Sequence, residues 1–309
     1  MSAELKIHEF HGLRGQLRAN EPMAAHVSWR AGGPAKRFFA PADLEDLAVF
    51  LSQLPEDEPV LFAGLGSNLL VREGGWPGTV VMMYGAARAP RMEDGLLYAE
   101  AGVACPKVAR FAADNNLGSA EFLTGIPGTV GGALAMNAGC YGGETWDIVE
   151  RVVTINRRGQ LRRRGRAEFE TGYRHCELKS DAISEGDEWF ASAHFKLPEG
   201  DREESREIMK ALLSKRRSTQ PLQLPNAGSV FRNPSEGKTS ARLIQSCGLK
   251  RHAVGGARIS EKHANFIVNP GGAATAADIE ALILHVQKTV EEEKGVRLVP
   301  EVKIVGEAK

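Results

Sequence analysis

The stretch Gly125-Ile126-Pro127-Gly128-Thr129-Val130-Gly131-Gly132 is the densest glycine segment of the sequence, and it decides the interpretation of the fold. It continues into the small residues Ala133-Leu134-Ala135-Met136-Asn137-Ala138-Gly139. Glycine allows tight turns and lets backbone N–H groups come close to a phosphate. The segment is therefore expected to wrap a pyrophosphate, and the small residues after it allow a flat ring to approach.

A second glycine loop, Gly64-Leu65-Gly66-Ser67-Asn68, follows a predicted buried strand at residues 59–63. Its hydroxyl and amide suit contacts with a phosphate or a ribose. Either loop, taken alone, could equally be a tight turn with a purely structural role. Neither is a GxGxxG dinucleotide fingerprint, and no GxxxxGK[ST] motif occurs, so a Rossmann dehydrogenase and a P-loop enzyme are disfavoured.

The composition of the 309-residue chain is that of an ordinary globular protein. It is 42% hydrophobic, and 39 basic residues balance 39 acidic ones, so neither nucleic acid nor an anionic membrane is an expected partner. The first residues lack a signal-peptide pattern, and no apolar run approaches the ~18 residues of a membrane span. Four scattered cysteines without a CxxC pair favour reduced thiols over disulfides or a metal site. These features predict a cytoplasmic protein.

Strands and helices are mixed without one repeating βαβ unit, which favours the α+β class. A helix that begins near Pro106 is expected to end at Gly118, and a charged helix near residues 201–217 is expected to turn Ile208, Met209 and Leu212 inward. A long helix is predicted over residues 276–294, with a capping box at its start and Gly295 at its end. The predicted domains are residues 1–85, 86–200 and 201–309.

Several motifs occur in a fixed order along nearly the whole chain. They are Trp29-Arg30-Ala31-Gly32-Gly33-Pro34-Ala35, the two glycine loops, Asn137-Ala138-Gly139-Cys140-Tyr141-Gly142, Ala227-Gly228-Ser229-Val230-Phe231-Arg232-Asn233-Pro234 and Val299-Pro300-Glu301-Val302. In this combination the chain resembles the MurB family of UDP-N-acetylenolpyruvoylglucosamine reductases. The resemblance implies a two-part FAD-binding domain of the vanillyl-alcohol-oxidase-like type, followed by a C-terminal α+β domain that binds the substrate.

The resemblance also implies an activity. NADPH reduces non-covalently bound FAD, which then passes hydride to the enolpyruvyl ether of UDP-N-acetylglucosamine and yields UDP-N-acetylmuramate. Such an enzyme serves peptidoglycan precursor synthesis, and with it cell-wall biogenesis, cell shape, cell division and the cell cycle. No obligate protein partner is expected.

Three residues match the catalytic positions of the family. Arg174 provides the fixed cation that stabilises negative charge on the substrate carboxylate, and Ser229 provides the proton. Glu301 matches the carboxylate thought to work beside the arginine. Outside these motifs an Arg, a Ser or a Glu would most often be a surface or turn residue.

The resemblance assigns further residues to the cofactor and to the nucleotide of the substrate. The expected FAD contacts are Gly64, Gly66, Ser67, Asn68, Leu69, Gly125, Ile126, Pro127, Gly128, Gly131, Gly132, Asn137, Ala138 and Gly139. The expected substrate contacts are Tyr173, Asn233, Lys262 and His263. Asn233 could instead be a cap before Pro234, His263 could be structural, and the run Lys215-Arg216-Arg217 could be a solvated helix face.

Arg174 and Ser229 lie 55 residues apart in the sequence, too close for the tyrosine-bearing insertion of the longer class, so the chain resembles the compact class. Cys176 and Ser28 depart from the residues usual at their motif positions. Two rivals stay open: a sugar or hydroxy-acid oxidase of the same flavoprotein superfamily, and a nucleotide-binding regulator without activity. Many such oxidases tether flavin through a histidine, and neither glycine segment contains one.

Overall fold

The computed structural model describes residues 10–85, 87–180, 182, 187–234 and 237–309. These residues divide into two compact units. Unit 1 consists of the described parts of Met1–Ala19, Arg37–Gly64 and Gly78–Ser214, and unit 2 of Asn20–Lys36, Leu65–Pro77 and Lys215–Lys309. Helices and strands are mixed in both units, as the α+β class requires. The three-domain division at residues 85/86 and 200/201 stays a prediction.

The described ranges contain six α-helices. They are α1 (Leu44–Leu51), α2 (Cys105–Asp114), α3 (Val130–Ala135), α4 (Arg202–Thr219), α5 (Ser240–Ser246) and α6 (Ala276–Lys294). None of these helices combines the length and the apolar character that crossing a membrane requires.

The strands are short and most of them are antiparallel. In chain order they are β1 (Gln16–Pro22), β2 (Pro34–Ala40), β3 (Val60–Ala63), β4 (Leu69–Val71), β5 (Trp76–Met82), β6 (Arg91–Glu93), β7 (Leu96–Glu100), β8 (Gly139–Cys140), β9 (Gly143–Glu144), β10 (Val149–Asn156), β11 (Leu161–Gly165), β12 (Phe169–Gly172), β13 (His175–Leu178), β14 (Glu188–Phe195), β15 (Ala253–Val254), β16 (Ala257–Ile259), β17 (Ile267–Val268) and β18 (Lys303–Val305).

The main sheet of unit 1 is antiparallel, with the order β11-β10-β14-β7-β6. Two small hairpins, β8-β9 and β12-β13, also belong to unit 1. In unit 2, β4 pairs in parallel with β18, and β15, β16 and β17 form a three-stranded sheet. A four-stranded sheet has the order β1-β2-β5-β3.

Each unit has its own hydrophobic core. In unit 1 one cluster packs α2 and α3 against the main sheet, and a second surrounds α1, where the rings of Phe39 and Phe50 stack at 4.0 Å. In unit 2 the buried face of α6 packs around Trp29, which is fully buried and donates from Nε1 to the Ile267 carbonyl at 2.8 Å. The Trp29 motif is therefore a core element of unit 2.

Helix α6 confirms the prediction made for its length and its ends. Thr275 Oγ1 accepts from Asp278 N–H, and the Asp278 carboxylate accepts from Thr275 N–H, each at 3.0 Å. Gly295 ends the helix in the left-handed conformation, with φ of 65°. Buried residues recur every three or four positions, as expected for a helix with one face in the core.

Two expectations about helices are wrong. Helix α2 ends at Asp114 rather than at Gly118, because Asn116 adopts the left-handed conformation (φ 55°) that stops it. In α4, Ile208 is 41% exposed instead of inward, while Met209 and Leu212 are half-buried. The small Ser205 is buried there instead, since its hydroxyl bonds to Glu121 Oε1 at 2.5 Å.

Candidate functional site

The Gly64 loop is held differently at its two ends. In unit 1, a Cβ at Gly64 would lie only 2.2 Å from the Thr129 hydroxyl oxygen, so this glycine allows the close approach of the Gly125 segment. In unit 2, Gly66 has φ of 59° and accepts at its carbonyl from Ser28 N–H at 3.1 Å. Ser67 and Asn68 are half-buried, and Leu69 is buried as the first residue of β4.

Asn68 connects this loop to Glu301 within unit 2. Its side-chain amide donates to the Glu301 carbonyl at 3.1 Å, and its own carbonyl accepts from Lys303 N–H at 3.0 Å. The pairing of β4 with β18 extends these contacts. The loop that was predicted to bind cofactor therefore fixes the backbone of a predicted catalytic carboxylate.

Ser229 and Glu301 lie on neighbouring segments of unit 2. Glu301 N–H donates to the carbonyl of Val230, the residue after Ser229, at 2.7 Å, and Phe231 forms a β-bridge with Pro300. Both Ser229 and Glu301 are half-buried. A hydroxyl and a carboxylate separated by more than 70 residues of sequence are thus brought into one small region.

Arg174 lies in unit 1, in the two-residue turn between β12 and β13, with φ of 54°. Its Nη2 donates to the Gly139 carbonyl at 3.0 Å, and its guanidinium carbon lies 5.0 Å from the centre of the Tyr173 ring. Tyr173 itself is exposed. The arginine is therefore fixed to the last predicted cofactor residue by a charge-assisted hydrogen bond.

Asn137 is buried, and its side chain bonds within the protein. The amide nitrogen donates to Glu144 Oε2 at 2.8 Å and to the Gly172 carbonyl at 3.1 Å, while Oδ1 accepts from Trp146 N–H at 3.1 Å. The Ala138 carbonyl accepts from Thr145 N–H at 3.0 Å. Asn137 therefore supports the turn that carries Arg174, and a cofactor contact from its side-chain amide stays a prediction.

The Gly125 segment is anchored through its backbone. The Gly128 carbonyl accepts from Cys105 N–H at 2.9 Å, and Gly131 N–H donates to the Ala101 carbonyl at 2.8 Å. Gly125 and Ile126 are buried, whereas Pro127 and Gly132 are exposed. A Cβ at Gly132 would meet only Thr129 Oγ1, at 3.9 Å, so this side of the segment has room for a ligand. These residues fit the expected pyrophosphate of FAD.

Asn233, a predicted substrate contact, lies seven residues before the first residue of α5 and bonds to it. Its Oδ1 accepts from Ser240 N–H at 3.1 Å, and the residue is exposed. This bond matches the capping alternative. Binding of the nucleotide by Asn233 stays a prediction.

Lys262 and His263 follow β16 in unit 2. Lys262 Nζ donates to the Arg217 carbonyl. Burial, with Lys250 nearby, lowers the pKa of His263, whose ring packs edge-on against Phe266 at 4.7 Å. Its buried Nδ1 has no hydrogen-bond partner among the described residues.

Lys262 also lines a cavity of about 380 Å³, together with Arg217, Gln220, Pro221, Leu222, Gln223, Leu224, Arg258, Ser260, Glu261, Val268 and Pro270. Three basic side chains and one acidic side chain therefore surround a partly apolar space. Arg258 was not among the site residues predicted from the sequence. Arg258 lies between the apolar residues Ala257 and Ile259, which are buried. Because successive side chains of a strand point to opposite faces, this pattern indicated that Arg258 lies on the other face of β16.

Comparison with known proteins shows the family of the chain. Residues 35–165 match the FAD binding domain family, and residues 220–305 match the C-terminal domain of UDP-N-acetylenolpyruvoylglucosamine reductase. The reductase of that name from Nitrosospira multiformis is 55% identical, covering 96% of this chain and 91% of the relative. The one from Alkalilimnicola ehrlichii is 54% identical and covers 100% and 99%.

A solved structure agrees with the sequence relatives. The crystal structure of UDP-N-acetylenolpyruvylglucosamine reductase (MurB) from Thermus caldophilus superimposes with a TM-score of 0.76 at 31% identity, covering 95% of this chain and 99% of that one. The expected fold, with an FAD-binding domain and a MurB C-terminal domain, is confirmed. The chain therefore belongs to the UDP-N-acetylenolpyruvoylglucosamine reductase family, the MurB family.

Proposed function

We propose that this protein reduces the enolpyruvyl ether of UDP-N-acetylglucosamine to UDP-N-acetylmuramate with NADPH as the hydride donor. The observation that carries the proposal is the placement of Ser229 beside the segment of Glu301, through the 2.7 Å bond from Glu301 N–H to Val230. A protein that merely bound a nucleotide would need no proton donor there. Bound FAD would carry the hydride from NADPH to the alkene.

Arg174 stabilises negative charge on the substrate carboxylate. Addition of hydride to the terminal vinyl carbon pushes electrons toward that carboxylate, and a fixed cation lowers the energy of the resulting enolate. The bond to Gly139 and the contact with Tyr173 limit the freedom of the guanidinium. The arginine then acts as a prepositioned charge.

Ser229 donates the proton to the carbon beside the carboxylate. A serine hydroxyl is a poor acid near neutral pH, so it can donate only to a strongly basic carbon such as that of an enolate. Glu301 also takes part in stabilising this intermediate. The backbone bonds of Glu301 to Val230 and Asn68 hold its position.

The basic cavity of unit 2 receives the nucleotide part of the substrate in this proposal. Arg217, Arg258 and Lys262 provide positive charge for the diphosphate, and the apolar lining suits a flat base. Tyr173, Asn233 and His263 are the further substrate contacts that the sequence predicts. Arg258→Ala should raise KM for the UDP substrate and leave KM for NADPH unchanged.

In the cell, the reaction supplies the muramate-containing precursor of peptidoglycan. The protein accordingly acts in the cytoplasm, where the nucleotide substrate and NADPH are present. It supports cell-wall biogenesis, and through it cell shape, division and the cell cycle. The reaction requires no nucleic acid, membrane or obligate protein partner.

The test mixes purified protein with NADPH and UDP-N-acetylenolpyruvoylglucosamine and follows absorbance at 340 nm. NADPH oxidation that depends on the UDP substrate, with UDP-N-acetylmuramate as the product, is the expected result. Oxygen consumption without that substrate would identify an oxidase, and an absence of turnover would identify a binding protein; either result refutes the proposal. Acid denaturation of the same sample should release intact FAD, because the cofactor is held without a covalent bond.

A further inference from the structure

An aromatic residue occupies the tight turn between β8 and β9. Tyr141 and Gly142 are the two turn residues, and both have positive φ, of 55° and 95°. Turns of this kind favour Asn, Asp or Gly at their first position, because a side chain there is strained. A tyrosine in such a place indicates that its side chain is needed for something other than the turn.

Two of the contacts of the Tyr141 side chain lie within unit 1. Its hydroxyl donates to the Leu212 carbonyl of α4 at 3.3 Å. Its ring lies so close to Gly125 that a Cβ there would be 3.0 Å from a ring carbon. The turn is therefore held between the long helix α4 and the first residue of the Gly125 segment.

The same hairpin holds Arg174. Gly139, which pairs with Glu144 across the hairpin, accepts the hydrogen bond from Arg174 Nη2 at 3.0 Å. Asn137, just before the hairpin, bonds to both Glu144 and Gly172, the residue two positions before the arginine. A shift of the Tyr141 turn would move the Gly139 carbonyl and, with it, the guanidinium.

We propose that Tyr141 is a positioning residue that sets, through the Gly139 carbonyl, the place of the Arg174 guanidinium. The inference rests on the proposed function, because it assigns Arg174 to the reduction of the enolpyruvyl group. In this role Tyr141 acts through the Gly139 carbonyl and not on the reacting atoms. Removal of the Tyr141 side chain should slow the half-reaction in which Arg174 stabilises negative charge on the substrate.

The decisive variant is Tyr141→Asn, which removes the ring and the hydroxyl but suits the left-handed backbone. Reduction of the enolpyruvyl substrate should slow by at least about 10-fold, because small misplacements of catalytic groups are costly. Oxidation of NADPH in the first half-reaction should stay near its native rate. Tyr141→Phe, which keeps the ring but loses the hydroxyl and with it the bond to Leu212, should slow the same step less, and it still tests the inference if the first variant misfolds.

The matched control is Asp94→Asn in the turn between β6 and β7, where Asp94 and Gly95 also have positive φ, of 50° and 76°. It places Asn in the same kind of turn and should leave both half-reactions unchanged. In an Arg174→Lys background, Tyr141→Asn should add little further loss, since residues that act through one group are not additive.

An NMR measurement reads out the position of the guanidinium without turnover. The side-chain Nε–H signal of Arg174, identified by its loss in Arg174→Lys, should shift in Tyr141→Asn and stay in place in Asp94→Asn. Unchanged rates and an unmoved signal would overturn the inference, as would equal slowing of both half-reactions or additive losses in the double variant. If the native protein failed to reduce the enolpyruvyl substrate, the proposed function would fail, while the signal would still test whether Tyr141 positions Arg174.

Discussion

Two glycine substitutions test core packing and cofactor binding separately. In Gly64→Ala, the new Cβ would lie 2.2 Å from Thr129 Oγ1, 2.9 Å from its Cγ2 and 3.1 Å from its Cβ. Thr129 is buried, and its backbone forms a bridge with Ala104, so it has little room to move. Overpacking of this kind costs about 1–3 kcal/mol. The free energy of unfolding should fall by that amount, which lowers Tm by about 2–4 °C per kcal/mol for a domain of ~150–250 residues.

Gly132→Ala should behave in the opposite way. Its Cβ would meet only Thr129 Oγ1, at 3.9 Å, and alanine is a better helix former than glycine by about 0.5–1 kcal/mol. The folded protein should therefore be as stable as the native protein or slightly more so. The added methyl group enters the space assigned to FAD, and Kd for FAD should rise about 10-fold or more, equivalent to about 1.4 kcal/mol.

The assay combines thermal unfolding of the apoprotein with FAD titration followed by flavin fluorescence. Gly165→Ala is the control, because its Cβ would find only Glu168 Oε1, at 4.0 Å. The double variant Gly64→Ala/Thr129→Ala removes Oγ1 and Cγ2 and should recover most of the lost stability. Native stability in Gly64→Ala would refute the packing argument, and native FAD affinity in Gly132→Ala would refute the placement of the cofactor.

Three further predictions concern residues outside these loops. Burial raises the pKa of Cys176 to about 12, so its thiol stays protonated, and Cys176→Ser should keep most activity; a loss of several orders of magnitude with FAD still bound would contradict this. Thr275→Ala should lower the free energy of unfolding by about 1 kcal/mol in urea titrations, because it removes the cap of α6, and an unchanged value would show that the cap is dispensable. Burial lowers the pKa of three histidines below 6.5, so the unfolded chain binds more protons and stability should fall as pH falls through 6.5; a flat stability profile between pH 7.5 and pH 5 would contradict this for His194, His263 and His285.

Local signals predicted the ends of α6, because the capping box and Gly295 lie next to the helix that they terminate. The pairing of β4 with β18 was not predictable, since more than 200 residues separate Leu69 from Lys303 and nothing local specifies the partner. The inward position predicted for Ile208 of α4 was wrong for a related reason. Ser205 of that helix is buried and bonds to Glu121, which lies 84 residues earlier in the sequence, and nothing local specifies that partner.

Motifs in which residue identity is tied to chemistry indicated part of the candidate site. Ser229 and Glu301 stood out through their motifs, and the structure brings their segments together in unit 2. The sequence could not reveal that Asn68 supports the backbone of Glu301, because that bond depends on tertiary placement. Alternation in β16 indicated the face on which Arg258 lies, but the cavity that it lines exists only in the folded chain.

The roles assigned to Arg174, Ser229 and Glu301 are tested most directly by the two half-reactions of Ser229→Ala in a stopped-flow instrument. General acid catalysis contributes ~10²–10⁴-fold, so reduction of the enolpyruvyl substrate should slow by at least about 10²-fold. NADPH should still bleach the flavin at nearly the native rate, because that step takes no proton from Ser229. Ser229→Cys should recover part of the loss, and Ser246→Ala, at the end of α5, should change neither rate. Equal slowing of both half-reactions, or native rates in both, would contradict the assignment of Ser229 as the proton donor.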